Sequence, residues 1–178
     1  MNHAGEILIL TGPPGAGKTT TAQALAQEHG SPKVHLHADD FWHFIKNGAI
    51  APYLADAHNQ NTVVMEVLAQ AAEGYAGGGY FVVVDGIVGP WFLSSFKRLS
   101  VPVHYVILRP PLDAAIRRCK ERGGDTLSDP GPITELYNQF SSLDAFERHV
   151  LRTDGHSREN TLAAVIKAVE SGLYGLPD

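Results

Sequence analysis

Ile7-Leu8-Ile9-Leu10-Thr11-Gly12-Pro13-Pro14-Gly15-Ala16-Gly17-Lys18-Thr19 is the stretch that decides how this chain folds. Its four leading apolar residues read as a short strand buried in a parallel sheet. The run from Gly12 to Thr19 has the spacing G-x-x-x-x-G-K-[ST]. From Thr20 the chain reads as a helix, with Ala22, Leu25 and Ala26 on one face. A strand, a glycine loop and a helix start, in that order, are the context this spacing requires.

The residue types suit an anion. Glycine lets the backbone curl tightly and come close to a ligand, and the curled loop points N–H groups into one concavity. The helix that follows adds unpaired N–H groups and the positive end of its dipole. Gly12, Pro13, Pro14, Gly15, Ala16, Gly17, Lys18, Thr19 and Thr20 are therefore expected to hold the phosphates of ATP. Lys18 supplies a cation for the β- and γ-phosphates, and the Thr19 hydroxyl is the expected Mg²⁺ ligand.

The whole chain bounds this reading. Its 178 residues are 44% hydrophobic and 19% charged, with a formal charge of −5, which suits one soluble domain. That charge offers no basic surface for a nucleic acid or an anionic membrane, so neither partner is expected. No apolar run has the length of a membrane span, and the first residues lack a signal-peptide pattern. The lone cysteine, Cys119, leaves no internal disulfide and fits a reducing cytoplasm. It lies in a helical pattern and reads as a packing residue. Nothing in the sequence indicates an oligomeric state.

Beyond the glycine loop, strands and helices alternate as in an α/β fold with a parallel sheet. Further strands are expected at about Lys33–Ala38, Tyr80–Asp85, Val103–Arg109 and His149–Thr153. A helix begins near Asp40, and a polar, irregular stretch follows around Asn47–Tyr53. A long helix over about His58–Tyr75 should turn Val63, Val64, Val67, Leu68 and Ala71 inward. Pro110-Pro111 opens a helix to about Arg122. Breakers fill Gly123–Pro132, and a helix then runs to about Phe146. Ser157 caps the last helix.

Acidic residues at strand ends supply the remaining chemistry. Asp85 closes an apolar strand, a pattern that sets a carboxylate beside Mg²⁺. Asp39 and Asp40 follow the second strand, where ligands of open α/β sheets collect. Asp39 is expected to orient a substrate hydroxyl and to share the metal, and Asp40 to touch substrate or cap the helix. Arg118 and Arg122, at the root of the Gly123–Pro132 loop, are candidates to neutralise a transferring phosphoryl group; Arg117 reads as a solvated residue. His35 and His37 flank Leu36 and read as hydrogen-bonded histidines rather than a metal pair.

With this loop, the acids after the second strand, Asp85-Gly86, and Arg118-x-x-x-Arg122 before a glycine-rich loop, the chain resembles the small P-loop kinases. That group includes shikimate, gluconate and adenylate kinases and chloramphenicol phosphotransferase. The resemblance implies a three-layer P-loop NTPase fold, adenylate-kinase-like, as one domain over residues 1–178. Its five-stranded parallel sheet would run in the order 2-3-1-4-5. It also implies a lid at about 123–132, an acceptor-binding segment at about 41–61, and adenine near Thr153–Ser157. Ala38-Asp39-Asp40-Phe41 stands where chloramphenicol phosphotransferase has V-D-S-F, whose aspartate is its proposed base, and this carries over to Asp39. The acceptor segment holds no arginine, and the lid has Ser128 where shikimate kinase has an arginine, so a nucleotide or shikimate acceptor is disfavoured. Trp42, Tyr53 and Trp91 would instead line a site for a neutral or weakly charged small-molecule alcohol. The expected function is transfer of the ATP γ-phosphate to that hydroxyl. A toxin-type or nucleic-acid-end kinase and a non-catalytic ATP-binding switch are the alternatives.

Overall fold

The computed structural model describes residues 1–123 and 127–176. Five parallel strands form the central sheet: β1 Ile7–Thr11, β2 Lys33–His37, β3 Phe81–Asp85, β4 Val103–Arg109 and β5 Val150–Arg152. They lie in the order β2-β3-β1-β4-β5, the order that the resemblance implied. The helices are α1 Lys18–Gln27, α2 Ala38–His43, α3 His58–Gly77, α4 Leu112–Arg122, α5 Pro130–Asn138 and α6 Arg158–Glu170. Every residue of β1, β3 and β4 is buried, because helices cover both faces of the sheet.

Strand alternation sorts those residues into two cores. Ile7, Ile9, Val82, Val84, Tyr105 and Ile107 face one way and pack under α3, with Phe96 and Phe140. Leu8, Leu10, Phe81, Val83, Val106 and Leu108 face the other way, against α1 and α6. Two cores with one sheet between them make three layers.

Three boundaries and one helix face depart from the sequence reading. Ala38 starts α2 instead of ending β2. The inner face of α3 is Asn61, Val64, Met65, Leu68, Ala69, Ala72 and Ala76, while Val63 and Val67 are 60% and 50% exposed. Alanines make up much of that face, so the branched residues on the opposite side looked the more apolar. α5 begins at Pro130 because Asp129 caps it, its carboxylate accepting from the Gly131 N–H at 3.0 Å. Pro130 and Pro132 fall in a first turn whose N–H groups have no helical partner to lose. The helix then ends at Asn138, short of Phe146, and a 3₁₀ segment, Asp144–His149, leads into β5.

That last junction is tied down by two buried groups. Arg109, at the end of β4, is 8% exposed and grips Glu147 through two hydrogen bonds of 2.8 and 2.7 Å. Its Nη1 also donates to the Phe140 carbonyl at 2.7 Å. His149 is fully buried, and its Nδ1 donates to the Tyr105 carbonyl at 2.9 Å. Burial pulls the His149 pKa below 6.5, with the Arg148 charge adding to the effect, against the hydrogen bond to Tyr105.

A folded pKa below the unfolded one means that the unfolded chain binds the extra proton. The stability contributed by neutral His149 is thus complete above about 6.5 and is lost as pH falls below it. Urea melts of wild type and His149→Gln at pH 7.5 and 5.5 should show a smaller acid-side loss in the variant. An equal loss in both would remove His149 as its source.

Candidate active site

The carboxyl ends of β1, β2 and β3 lie side by side, and each contributes to one site. β1 runs into the glycine loop. Gly12 and Gly15 are held by close packing: a Cβ there would lie 2.1 Å from the Leu108 carbonyl oxygen and 2.3 Å from that of Ala115. Gly15 also adopts φ +74°, a left-handed conformation that costs other residues. α1 starts at Lys18 with no side chain capping it, so no side chain competes for its first N–H groups. Lys18 Nζ donates to the Pro13 carbonyl at 2.9 Å.

β3 ends in Asp85, which is fully buried. Its carboxylate accepts from the Thr19 hydroxyl at 2.6 Å, His35 Nε2 at 2.6 Å and His37 Nδ1 at 3.0 Å. The register explains this convergence. Asp85 sits beside Leu10 on one side and His37 on the other, and His35 lies two residues back on the same face of β2. Burial opposes ionisation of Asp85, yet the bonds from His35, His37 and Thr19 hold its pKa well below the carboxylate range. The bond to Asp85 conversely raises the His37 pKa, against burial. Burial brings Lys18 down to about 8, with Asp85 and Asp39 pulling the other way.

The sequence reading anticipated hydrogen-bonded histidines but not that both would share Asp85. Two histidines at i and i+2 on a strand beside an acid-ended strand were the available signal. His37 also reaches Asp39, with Nε2 3.6 Å from Oδ2. Asp39 and Asp40 are exposed in the first turn of α2.

Two cavities flank this junction. One, of about 500 Å³, is lined by Gly15, Ala16, Gly17, Thr20, Arg118 and Arg122, with His156 and Ser157 from the segment after β5. Arg118 Nη1 lies 3.4 Å from the Gly15 carbonyl oxygen. Arg117 points away, 3.9 Å from Glu121. The second cavity, of about 770 Å³, takes Asp39, Trp42, Tyr53 and Trp91 among its walls, and Asp40 is not one of them. One wall is stitched in place by amide side chains. Gln60 pairs with both the N–H and the C=O of Ile50, at 2.8 and 2.7 Å. Asn61 accepts from Trp42 Nε1 and donates to the Pro52 carbonyl, each at 2.8 Å.

Gly124, Asp125 and Thr126, the centre of the expected lid, lie outside the described residues. Cys119 is buried, and burial raises its thiol pKa, as befits a packing residue. No described helix is long and apolar enough to cross a membrane.

The residues fit a magnesium nucleotide. Thr19 and Asp85 offer paired oxygen donors of the kind a hard cation takes. The glycine loop is seated so closely on Leu108 and Ala115 that side chains at Gly12 and Gly15 would push it out of its curled form. Fold and site together define a protein with the architecture of the small P-loop kinases. The chain belongs to the AAA domain family, whose model matches residues 8–129.

Solved structures agree on the fold. A sugar kinase from Janibacter sp. HTCC2649 matches with a TM-score of 0.70 at 17% identity, over 93% of this chain and 94% of that one. A gluconokinase from Sinorhizobium meliloti 1021 matches with a TM-score of 0.68 at 14% identity, over 97% and 95%. A thymidylate kinase from Candida albicans matches with 0.65 at 16% identity, over 98% and 96%. Among curated proteins, the cell cycle checkpoint protein RAD17 of Homo sapiens is 65% identical over 28 residues, 16% of this chain and only 4% of that protein.

The value near 8 for Lys18 has a measurable consequence. Its ammonium attracts phosphate only while protonated, so affinity should fall as pH rises through about 8. Titrations of ATP without divalent cations, from pH 7 to pH 9, should show this weakening. Lys18→Met should bind weakly and without that step.

Proposed function

We propose that this protein is an ATP- and Mg²⁺-dependent phosphotransferase acting on a hydroxyl of a small molecule. One chain of contacts carries the reading: Thr19 of the glycine loop, Asp85, His37, then Asp39 in the wall of the second cavity. It links a phosphate cradle to a separate pocket through a carboxylate exposed on the pocket side.

In the proposed reaction, the glycine-loop N–H groups, Lys18 and the start of α1 bind the β- and γ-phosphates. Mg²⁺ when bound, held by Thr19 and Asp85 with Asp39 near, neutralises charge on the phosphate oxygens. Asp39 orients the acceptor hydroxyl and receives its proton as the oxygen bonds to the γ-phosphorus. The bond from that phosphorus to the bridging oxygen breaks, and ADP leaves. Arg118 and Arg122 line the nucleotide cavity and offset the growing charge. The 123–132 segment is proposed to close over the phosphates, and the His156–Ser157 segment to lie against adenine.

The acceptor cavity has Trp42, Ile50, Tyr53, Ile87, Trp91 and Leu136 among its walls and no lysine or arginine. Among the described residues, His43 and His58 are its only basic side chains, so a carboxylate or phosphate on the acceptor would enter beside Asp39 with no lysine or arginine to offset it, an unfavourable burial. The fitting acceptor is therefore an uncharged alcohol with an apolar body. Asp40 in the first turn of α2 remains within reach of a bulky acceptor. We place the reaction in a reducing, cytoplasmic setting, without a nucleic-acid or membrane partner.

Asp39→Asn should lower phosphoryl transfer by about 10²–10⁴-fold and leave ATP affinity nearly unchanged, as read by ADP release and by calorimetry. The same loss in Asp40→Asn, with Asp39→Asn active, would reverse their roles. Acceptor binding has its own reporter. The chain has two tryptophans, and both Trp42 and Trp91 line the pocket. Aromatic alcohols should change tryptophan emission saturably, and gluconate or thymidine monophosphate should not. Binding without ADP release would favour a non-catalytic switch.

A further inference from the structure

The opposite end of the sheet carries a second cluster of ligating side chains. Glu6 immediately precedes β1, and the Glu6 N–H donates to the His3 carbonyl at 3.1 Å. This closes a turn through Ala4 and Gly5, with Gly5 at φ +82°. The turn sets the His3 and Glu6 side chains together. His104, the second residue of β4, stands beside Leu8 of β1 and reaches the same point. His3 Nδ1 and His104 Nε2 meet one carboxylate oxygen, Glu6 Oε2, at 2.9 and 2.6 Å. The two imidazole rings stand nearly perpendicular, at 81°, and His3 also packs against Phe81.

We propose that His3, Glu6 and His104 form a binding site for a zinc-type divalent ion, remote from the nucleotide. Two imidazole nitrogens and one carboxylate oxygen are a donor set that zinc takes, with water completing its coordination. Among the described residues this is the one group of three such side chains whose ligand atoms lie within 4.8 Å of one another. The donors already converge, and an ion would enter as the Glu6 oxygen draws back from each nitrogen by roughly half an ångström. His104 is 8% exposed, and its Nδ1 has no hydrogen-bond partner among the described residues. Glu6 now holds a proton on His104 Nε2, and an ion taking the Nε2 lone pair would displace that proton, leaving the imidazole protonated at Nδ1. The hydrogen bonds from His104 and His3 keep the Glu6 pKa low despite burial, so the carboxylate is ionised at neutral pH.

The site's role is structural. Residues 3 and 6 come from the N-terminal segment and residue 104 from β4, so an ion would staple that segment to the sheet. The glycine loop leaves β1 from its other end, so occupancy should leave nucleotide affinity unchanged.

The test is calorimetric titration of chelator-treated full chain with Zn²⁺, with Co²⁺ absorption as a second readout and thermal melts alongside. Wild type should bind one ion per chain and melt several degrees higher with it. Glu6→Gln and His104→Gln should lose both effects. His3→Ala removes a ligand from the terminal segment and should also lose the site, even if a change at Glu6 or His104 weakens the fold. Lys18→Ala should bind zinc as wild type does. Absence of stoichiometric binding, or binding unaltered in Glu6→Gln and His3→Ala, overturns the proposal.

Discussion

A buried carboxylate organises this molecule. Asp85 sits at the end of a central strand with no exposure to water, a costly place for a charge. The cost is offset by hydrogen bonds from Thr19, His35 and His37 that keep it ionised. Those donors belong to α1 and β2, so one anion fastens the helix after the glycine loop to the strand that leads to Asp39. Removing the charge would leave three half-buried polar groups without their acceptor at the carboxyl end of the sheet. The same carboxylate is available to a metal only as these donors yield, which makes the site's structure and its chemistry one arrangement.

From that junction the two cavities diverge in character. The nucleotide side is built from backbone: the glycine loop, the start of α1, and Arg118 and Arg122 near its edge. Backbone N–H groups recognise phosphate whatever it is attached to. The acceptor side is built from side chains, with aromatic and aliphatic walls, one carboxylate and no lysine or arginine. Gln60 and Asn61 each give one donor and one acceptor to Ile50, Pro52 and Trp42, so they shape the wall. Asp39 is the carboxylate among the pocket's walls, and Asp40 is not one of them, which is why the orienting role is proposed for Asp39.

What the sequence disclosed follows from distance along the chain. The glycine loop is local: its spacing, the preceding strand and the following helix are contiguous, so residues 7–27 were legible as they stand. The five strands were legible as apolar runs, and their order came through resemblance to proteins that share it. The inward face of α3 was misread because Ala69, Ala72 and Ala76 bury without a strong hydrophobic signal, whereas exposed Val63 and Val67 carry one. The start of α5 is hidden because an Asp129 cap has a weak local signature, and its end because a 3₁₀ segment continues toward β5. Pairings across long separations were opaque. Arg109 with Glu147, Asp85 with His35 and Glu6 with His104 join residues whose partnership only the sheet creates.

That contrast bears on how a fold of this kind takes on new acceptors. A sugar kinase, a gluconokinase and a thymidylate kinase share this architecture with less than a fifth of their residues in common with it. The matches span nearly all of this chain, and within it the phosphate cradle is where geometry constrains the backbone, since Gly12 or Gly15 cannot carry a side chain. The segment between α2 and α3 has no such constraint. It is irregular, anchored at a few points by side chains, and its exposed residues, Tyr53 and Leu54 among them, can change without touching the core. On the proposed reading, acceptor chemistry would be set where the fold is least demanding. The cavity beside that segment sets Trp42, Tyr53 and Trp91 around one carboxylate, Asp39, and the proposed specificity would rest on that pairing rather than on the sheet that presents it.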